Sequence, residues 1–315
     1  MTSNDRPTGK PIPVILDTDI GSDIDDTWAI AMMLNCPELD PKLIVTNTGD
    51  TTYRSKLVAK FLTACGRTDV PVGVGKRFKY NPKRARQAKY VEDYDLDSYP
   101  GTLYEDGVGA MVDMIDAAHE AGDPITLITI GPLQNMQEAL NRDPRMSSKT
   151  AKYVGMVGSV RVGYGGSPEI SRECNAGKVI GTKLTFAAGW PEMVITPIDS
   201  CGRVQLKGEK YQKVAHCQTP MIRDLMENYR LWRAHSGATD WPIKASSTLF
   251  DTVAVYLAWT DELLEMEQLP IWIDDEGYTR LDEQKGRVIN VATGWKDYEA
   301  FEDLLVDRLV RPSGG

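Results

Sequence analysis

The stretch DTDIGSDIDD at residues 17–26 lies between the apolar run IPVIL at residues 12–16 and the apolar run TWAIAMML at residues 27–34. The first run is short and rich in β-branched residues, as is typical of a buried strand, and the second is typical of a helix packed on a sheet. Gly21 and Ser22 break the regular structure between the two runs. Five carboxylates are therefore predicted where a strand ends and a helix begins, the edge of an open α/β sheet at which ligands bind.

The carboxylates of this stretch require a compensating positive charge. Like charges this close repel one another, and burying them without partners costs several kcal/mol each. The N-terminus of the following helix compensates for one or two of them, and oxygen-only ligands favour Ca²⁺ or Mg²⁺ over Zn²⁺. A solvated cluster that caps the helix is the alternative, but Asp17 and Asp19 follow a buried strand directly, which favours a binding site.

Two common acidic motifs fit the stretch poorly. Counted from Asp17, an EF-hand loop needs Gly at its sixth position and Glu at its twelfth, where this chain has Ser22 and Trp28. Phosphatases of the haloacid dehalogenase type share the Asp-x-Asp start, but they usually have Thr or Val where this chain has Gly21. Such a phosphatase is kept as an alternative function.

The rest of the chain alternates short apolar runs with helical patterns, as expected for an α/β fold. Strands are predicted at residues 43–47, 70–74, 125–130, 153–160, 193–197, 269–273, 278–281 and 287–291. Helices are predicted at residues 53–65, 110–121, 209–233 and 295–309. The polar segment 77–101 is a long loop, and such loops in compact domains are usually functional lids.

The composition narrows the class of protein. The chain has 315 residues, 42% of them hydrophobic, which predicts one α/β domain at residues 11–315 after a polar, disordered tail at residues 1–10. A net charge of −9 argues against a nucleic-acid partner. No run approaches the length of about 18 apolar residues that a membrane helix needs. Five scattered cysteines indicate a reducing, cytoplasmic location and no zinc site.

Three segments resemble the nucleoside N-ribohydrolase family of the inosine–uridine-preferring type. They are DTDIG with the pair Asp25–Asp26, GPLQN at residues 131–135, and the segment around Asp251. The loop Ser22–Ile24 is two residues longer than in the common form of the family and adds Asp23. The resemblance spans about residues 11–310. It implies a mainly parallel central sheet with helices on both faces, the Rossmann-like nucleoside hydrolase fold, and a homodimer or homotetramer.

The resemblance also implies a Ca²⁺ site and a catalytic base. The implied ligands are the side chains of Asp19, Asp26 and Asp251 and the backbone carbonyl of Ile130. Asp25 is expected to activate the water as general base, and Asp17 to be a buried acceptor that orients the loop. Asn135 is expected to brace the neighbouring loops.

A ribose pocket is implied by further matches. Gly49–Asp50 stands where the family has Gly-Asn, and the segment ECN at residues 173–175 resembles the family's Glu-Phe-Asn. Asp50, Glu173 and Asn175 are therefore expected to bind the sugar, since acid and amide oxygens accept hydrogen bonds from a vicinal diol. Asp23 is a further candidate for substrate binding.

The departure with the greatest consequence lies beside Asp251. The family has His-Asp-Pro there, and its His helps to protonate the leaving base, whereas this chain has Phe250 and Thr252 around the Asp. Tyr229 and His235 are the candidates for the missing acid. A leaving group that needs no proton, such as a pyridinium base, is the other solution, and Phe250 is expected to stack on the base.

The resulting hypothesis is an enzyme that hydrolyses the N-glycosidic bond of a ribonucleoside or related N-riboside with the help of calcium. An inactive sensor or scaffold that binds metal and ribose is the alternative from another class. Asp25 argues against the sensor, because activating water needs this residue more than binding metal does.

Overall fold

The computed structural model describes residues 9–78, 81–162 and 179–311, and it has the predicted α/β architecture. The strands are β1 (Ile12–Thr18), β2 (Leu39–Thr46), β3 (Val72–Gly73), β4 (Leu103–Tyr104), β5 (Thr126–Thr129), β6 (Lys152–Met156), β7 (Met193–Thr196), β8 (Leu264–Ile273), β9 (Thr279–Leu281) and β10 (Arg287–Trp295). The helices are α1 (Asp25–Leu34), α2 (Thr51–Ala64), α3 (Gly107–Glu120), α4 (Gln134–Arg142), α5 (Val179–Ala187), α6 (Ile198–Cys201), α7 (Gly208–Ala215), α8 (Pro220–His235), α9 (Thr252–Leu257) and α10 (Tyr298–Val310).

All ten described strands form one sheet in the order β4-β3-β2-β1-β5-β6-β7-β10-β8-β9. The pairings are parallel from β4 through to β10, and β8 and β9 add two antiparallel pairings at one edge. The prediction of a mainly parallel sheet is confirmed. A single domain and a disordered tail stay predictions; the single sheet supports the first, and residues 1–8 of the tail lie outside the described residues.

Helices cover both faces of the sheet, because the central strands alternate buried side chains between two apolar layers. In β1, Val14 and Leu16 pack into the layer that contains α1, α2, α8, α9 and α10, while Ile15 packs into the layer of α3, α4 and α5. Burial on both faces explains why β1 reads as a continuous apolar run.

The strand order reverses at β1 and β5. The chain runs from β1 to β2 on one side and from β5 to β6 on the other, so the loops after β1 and β5 diverge and leave a crevice at the carboxyl edge. This is the topological switch point, where open α/β sheets bind their ligands. The acidic stretch 17–26 and the segment 131–135 leave the sheet here.

Several predicted bounds differ from the structure, and two of the differences have a clear local cause. The pattern at residues 209–233 gives two helices, α7 and α8, because Pro220 occupies the first turn of α8 and the Thr219 hydroxyl accepts from the Ile222 backbone NH at 3.4 Å, a cap that starts a new helix. The strand predicted at 153–160 ends at Met156. Gly158 has φ +85°, a backbone conformation that does not continue a strand.

Candidate active site

Three carboxylates that are far apart in the sequence meet at the switch point. Asp25 and Asp26 occupy the first turn of α1, and Asp251 directly precedes α9. Each is at most 6% exposed, and one oxygen of each lies within 4.8 Å of the others. Within ranges 9–78, 81–162 and 179–311, this is the one group of three such side chains placed to hold a metal ion.

The surroundings of the cluster disfavour the charged form of its carboxyl groups. Burial raises the pKa of Asp25 well above its usual range; the charges of Asp23 and Asp19 raise it further, while a hydrogen bond with Asp251 opposes the shift. Burial likewise raises the pKa of Asp26, with Asp19 and Asp25 adding to the effect. A cation would remove this repulsion, and an all-oxygen donor set suits Ca²⁺ or Mg²⁺. The residues therefore fit the implied metal.

Thr18 and the start of α1 fix the orientation of Asp26. The Thr18 hydroxyl donates to Asp26 Oδ1 at 2.5 Å and accepts from the backbone NH of Ile20 at 3.1 Å. Because Thr18 is the last residue of β1, this pair ties the carboxylate to the end of the strand. The remaining Asp26 oxygen is left for another partner, as a metal ligand requires.

Asp17 is a fully buried acceptor, as predicted. Asn47 Nδ2 donates to its Oδ1 at 2.6 Å, and Asn135 Nδ2 donates to its Oδ2 at 2.5 Å. Asn135 also donates to the Thr46 carbonyl at 3.0 Å and accepts from the Lys76 backbone NH at 2.7 Å. Asn135 thus joins the ends of β1 and β2 to the loop after β3, which is the bracing expected of it. Burial outweighs both amide bonds and raises the pKa of Asp17 to about 7.

The Asp17 carboxyl predicts a pH dependence of stability in chelator-treated protein. Because its folded pKa of about 7 lies above the ordinary value of 3.8, its contribution to stability is complete below about pH 4 and is lost as the pH rises through about 7. We expect the free energy of unfolding to fall between pH 5 and pH 8, and to fall less in Asp17→Asn. Denaturant titrations at both pH values measure this. An equal fall in both proteins would contradict the assignment.

Asp19 lies close to the segment that follows β5. The Ile130 backbone NH donates to the Asp17 carbonyl at 2.9 Å, which extends the pairing of β1 and β5 by one bond. A Cβ on Gly131 would lie 2.9 Å from the Asp19 backbone nitrogen, so glycine permits this close approach. Asp19 is not in the cluster of three, which contains Asp25 instead. Its charge nevertheless raises the pKa of Asp25 and Asp26.

The loop after β2 contains a strained turn. Thr48 has φ +56°, and it is the one residue other than glycine with positive φ in the described part of the chain. A β-branched residue in this region is an outlier that costs on the order of 1–3 kcal/mol. The Arg54 Nε, from the first turn of α2, donates to the Thr48 carbonyl at 2.8 Å. Strain of this kind persists only where surrounding contacts hold it.

The lengthened loop 21–24 is held from three directions. The Tyr53 hydroxyl and the Arg86 backbone NH donate to the Gly21 carbonyl at 3.2 and 3.0 Å. Trp232 Nε1, on α8, donates to the Ser22 carbonyl at 3.3 Å, and the Arg86 guanidinium lies 4.0 Å from the Trp232 ring centroid. The extra residues are therefore part of an ordered contact between the acidic loop, the predicted lid and α8.

Both carboxylates that depart from the common family pattern face an arginine of the predicted lid. Asp23 is exposed and lies 3.7 Å from Arg86 Nη1. Asp50 caps α2 by accepting from the Tyr53 backbone NH at 3.3 Å, and it lies 3.0 Å from Arg77 Nη2. These contacts occupy part of each carboxylate, and their roles in substrate binding stay predictions.

The candidates for the leaving-group acid are not in the carboxylate cluster. Tyr229 is 1% exposed among the rings of Trp28, Trp232 and Trp241, and its hydroxyl accepts from the Ser247 backbone NH at 2.6 Å. Burial raises its pKa. His235 is exposed at the last position of α8. Tyr229 thus has the contacts of a core residue.

The remaining predicted substrate contacts divide into two cases. Phe250 is half-buried beside Asp251 and packs against the core layer that contains α1 and α9, and its stacking on a base stays a prediction. Glu173 and Asn175 lie outside the described residues. Sequence reasoning also missed contacts that shape the site. Asn47 had one signal, its position at the end of a predicted strand, whereas the contacts of Arg54 and Trp232 with the acidic loop had none, because they join distant parts of the chain.

The fold and the cluster define a class: an α/β protein with a buried, oxygen-lined site for a hard cation at its topological switch point. The sequence pattern of the inosine-uridine preferring nucleoside hydrolases matches residues 14–303, and the chain belongs to that family. The protein is accordingly a hydrolase that acts on N-glycosyl bonds. Among the described residues, no helix combines the length and hydropathy needed to cross a bilayer.

Relatives of known name agree with this assignment. The chain is 26% identical over 316 aligned positions to the pyrimidine-specific ribonucleoside hydrolase RihA of Escherichia coli O1:K1, covering 95% of this chain and 98% of that one. RihA of Shigella boydii serotype 4 is 25% identical over 315 positions, with the same coverage.

Solved structures share the fold. A plant nucleoside hydrolase, PpNRh1, superposes with a TM-score of 0.78 at 20% identity, covering 96% of this chain and 100% of that one. The purine-preferring ribonucleoside hydrolase from Gardnerella vaginalis gives 0.75 at 20% identity, covering 95% and 98%. At these identities the likeness concerns the fold, and it confirms the predicted architecture.

Proposed function

We propose that this chain hydrolyses the N-glycosidic bond of a ribonucleoside or related N-riboside with bound Ca²⁺, giving ribose and the free base. The convergence of Asp25, Asp26 and Asp251 carries the proposal, because these buried carboxylates need a cation and lie at the switch point, where open α/β sheets bind their ligands. The proposed ligands are the side chains of Asp19, Asp26 and Asp251 and the backbone carbonyl of Ile130, while Asp25 lies beside them as the proposed base. Calcium would hold the ribose hydroxyls and lower the pKa of a bound water.

Asp25 would take the proton of the attacking water. Its position in the cluster suits this role, since it lies beside Asp26 and Asp251, the proposed ligands of the cation that would hold the water. Departure of the base leaves an oxocarbenium-like sugar, as in other glycosidases. The negative charge of the cluster would stabilise that sugar. Asp17 would keep the loop in place through Asn47 and Asn135.

The leaving group is the open part of the proposal. Tyr229 and His235 stay candidates for its protonation, and the burial of Tyr229 argues against it. Phe250 would stack on the base. The named relatives include both pyrimidine-specific and purine-preferring enzymes, so they do not favour one base. Asp23, Asp50, Glu173 and Asn175 complete the proposed sugar pocket, and a cytoplasmic homodimer or homotetramer is the proposed state.

The alternatives find no support in the comparisons, since the family match and the named relatives are nucleoside hydrolases. Release of reducing sugar from a panel of ribosides tests the proposal against them. The panel contains inosine, uridine, cytidine, adenosine and a pyridinium riboside. We expect ribose from at least one compound, loss of activity with a chelator, and recovery on adding Ca²⁺.

Two outcomes of this panel would contradict the proposal. If no compound releases ribose although calorimetry shows that calcium binds, the result would favour the sensor. Release of phosphate from a phosphate monoester, without release of ribose, would favour the phosphatase.

A further inference from the structure

The Arg54 guanidinium is buried beneath the acidic loop and is 5% exposed as a residue. Its Nη1 donates to the Ile20 carbonyl at 2.5 Å, and its Nη2 donates to the Ser22 hydroxyl at 2.8 Å. Its Nε donates to the Thr48 carbonyl at 2.8 Å. Nη2 also lies 3.6 Å from Asp19 Oδ2. One side chain therefore joins the loops that follow β1 and β2.

This position offers Arg54 no benefit as part of α2. A cation in the first turn of a helix opposes the helix dipole, and burying a charge is costly unless partners satisfy it. Its partners all belong to the two site loops, and one of them, Thr48, is the strained residue with φ +56°. The contacts of Arg54 therefore serve the loops rather than the helix.

We propose that Arg54 is a positioning residue for the cation site, which orders the acidic loop and orients Asp19 before the cation binds. This inference rests on the proposed function, because it takes Asp19 as a ligand. The planar guanidinium fork reaches Ile20, Ser22 and Thr48 together, and a lysine ammonium cannot reproduce that geometry.

Charge and geometry make opposite predictions here. If Arg54 acted on the site only through its charge, it would repel the incoming cation, and its removal would tighten binding. If it orders the loop, its removal leaves the cation to order residues 19–24 itself, which weakens binding. Arg54→Lys separates the two, because it keeps the charge and loses the fork.

The test is calorimetric titration of metal-free protein with CaCl₂ alone. We expect Arg54→Lys and Arg54→Met to weaken calcium binding by at least tenfold. Arg67→Lys is the matched control, since Arg67 also donates to a carboxylate and a carbonyl, those of Asp69 and Leu34, away from the site. Its calcium affinity should equal that of the unaltered protein.

Two further variants keep the inference testable if the Arg54 variants fold poorly. Ser22→Ala removes one acceptor of the fork and should weaken binding severalfold. Thr48→Gly added to Arg54→Lys should restore part of the affinity, because glycine adopts positive φ without strain.

The outcomes distinguish this inference from the proposed function. Calcium binding by the unaltered protein, with equal affinity in Arg54→Lys or tighter binding in Arg54→Met, would overturn the positioning role alone. Absence of calcium binding by the unaltered protein would overturn the proposed function and the inference with it.

Discussion

Replacing Asp25 with Asn is expected to lower kcat for riboside hydrolysis by about 10³-fold at saturating Ca²⁺, within the range that a general base contributes. An amide cannot accept the proton of water, although it fills the same space. Metal-free protein should be as stable as before or more so, because Asn removes a buried charge that burial, Asp23 and Asp19 disfavour. Steady-state kinetics and thermal denaturation measure the two effects.

The matched control for this variant is Asp40→Asn. Asp40 is near the start of β2, at the end of the parallel strands that lies away from the carboxylate cluster, where it forms an ion pair with Lys42. The Asp40→Asn substitution should leave kcat unchanged. Retention of more than about a tenth of the activity by Asp25→Asn would contradict a role as base, because acid–base catalysis is worth at least 10²-fold.

Replacing Asp251 with Asn is expected to weaken Ca²⁺ binding by about 100-fold or more. Outer residues of metal sites cost about 10- to 100-fold, and a direct ligand should cost at least as much. Calcium at 100 times its Kd stabilises a protein by about 2.7 kcal/mol, so the unaltered protein should gain a few degrees in Tm on adding it. Asp251→Asn should lose this gain. Calorimetry and thermal denaturation with and without Ca²⁺ measure both effects.

Asp261→Asn controls for this change, because Asp261 is exposed on the loop after α9. The Asp261→Asn variant should keep the thermal shift.

The two site variants also test each other, since Asp25 shares the cluster with Asp251. If high calcium restored the kcat of Asp25→Asn, Asp25 would be a ligand rather than the base. If Asp251→Asn kept the full shift, the proposed cation site would be wrong.

The fold was predictable because its signals are local. The apolar run at residues 12–16 and the acidic stretch after it mark a buried strand and a ligand edge without any knowledge of the other strands. The same holds for β5 and the segment 131–135 that follows it. The direction in which the chain turns after each strand is not local. The switch point therefore became visible only in the strand order.

Part of the site was out of reach for the same reason. The link between Asp17 and Asn135 spans 118 positions; the family resemblance implied a role for each residue but not their contact. Arg54 and Trp232 reach the acidic loop across 34 and 210 positions, and neither lies in a recognisable motif. Their roles depend on which helices pack beside the loop, and that is decided by the whole core.

Both ends of the sheet finish in very short strands, β4 with two residues and β9 with three. An approaching copy of the chain would find few backbone groups on β4 and β9 themselves with which to prolong the sheet, and short edge strands are one way in which natural proteins limit edge-to-edge aggregation. At high concentration, the protein should remain free of cross-β fibrils.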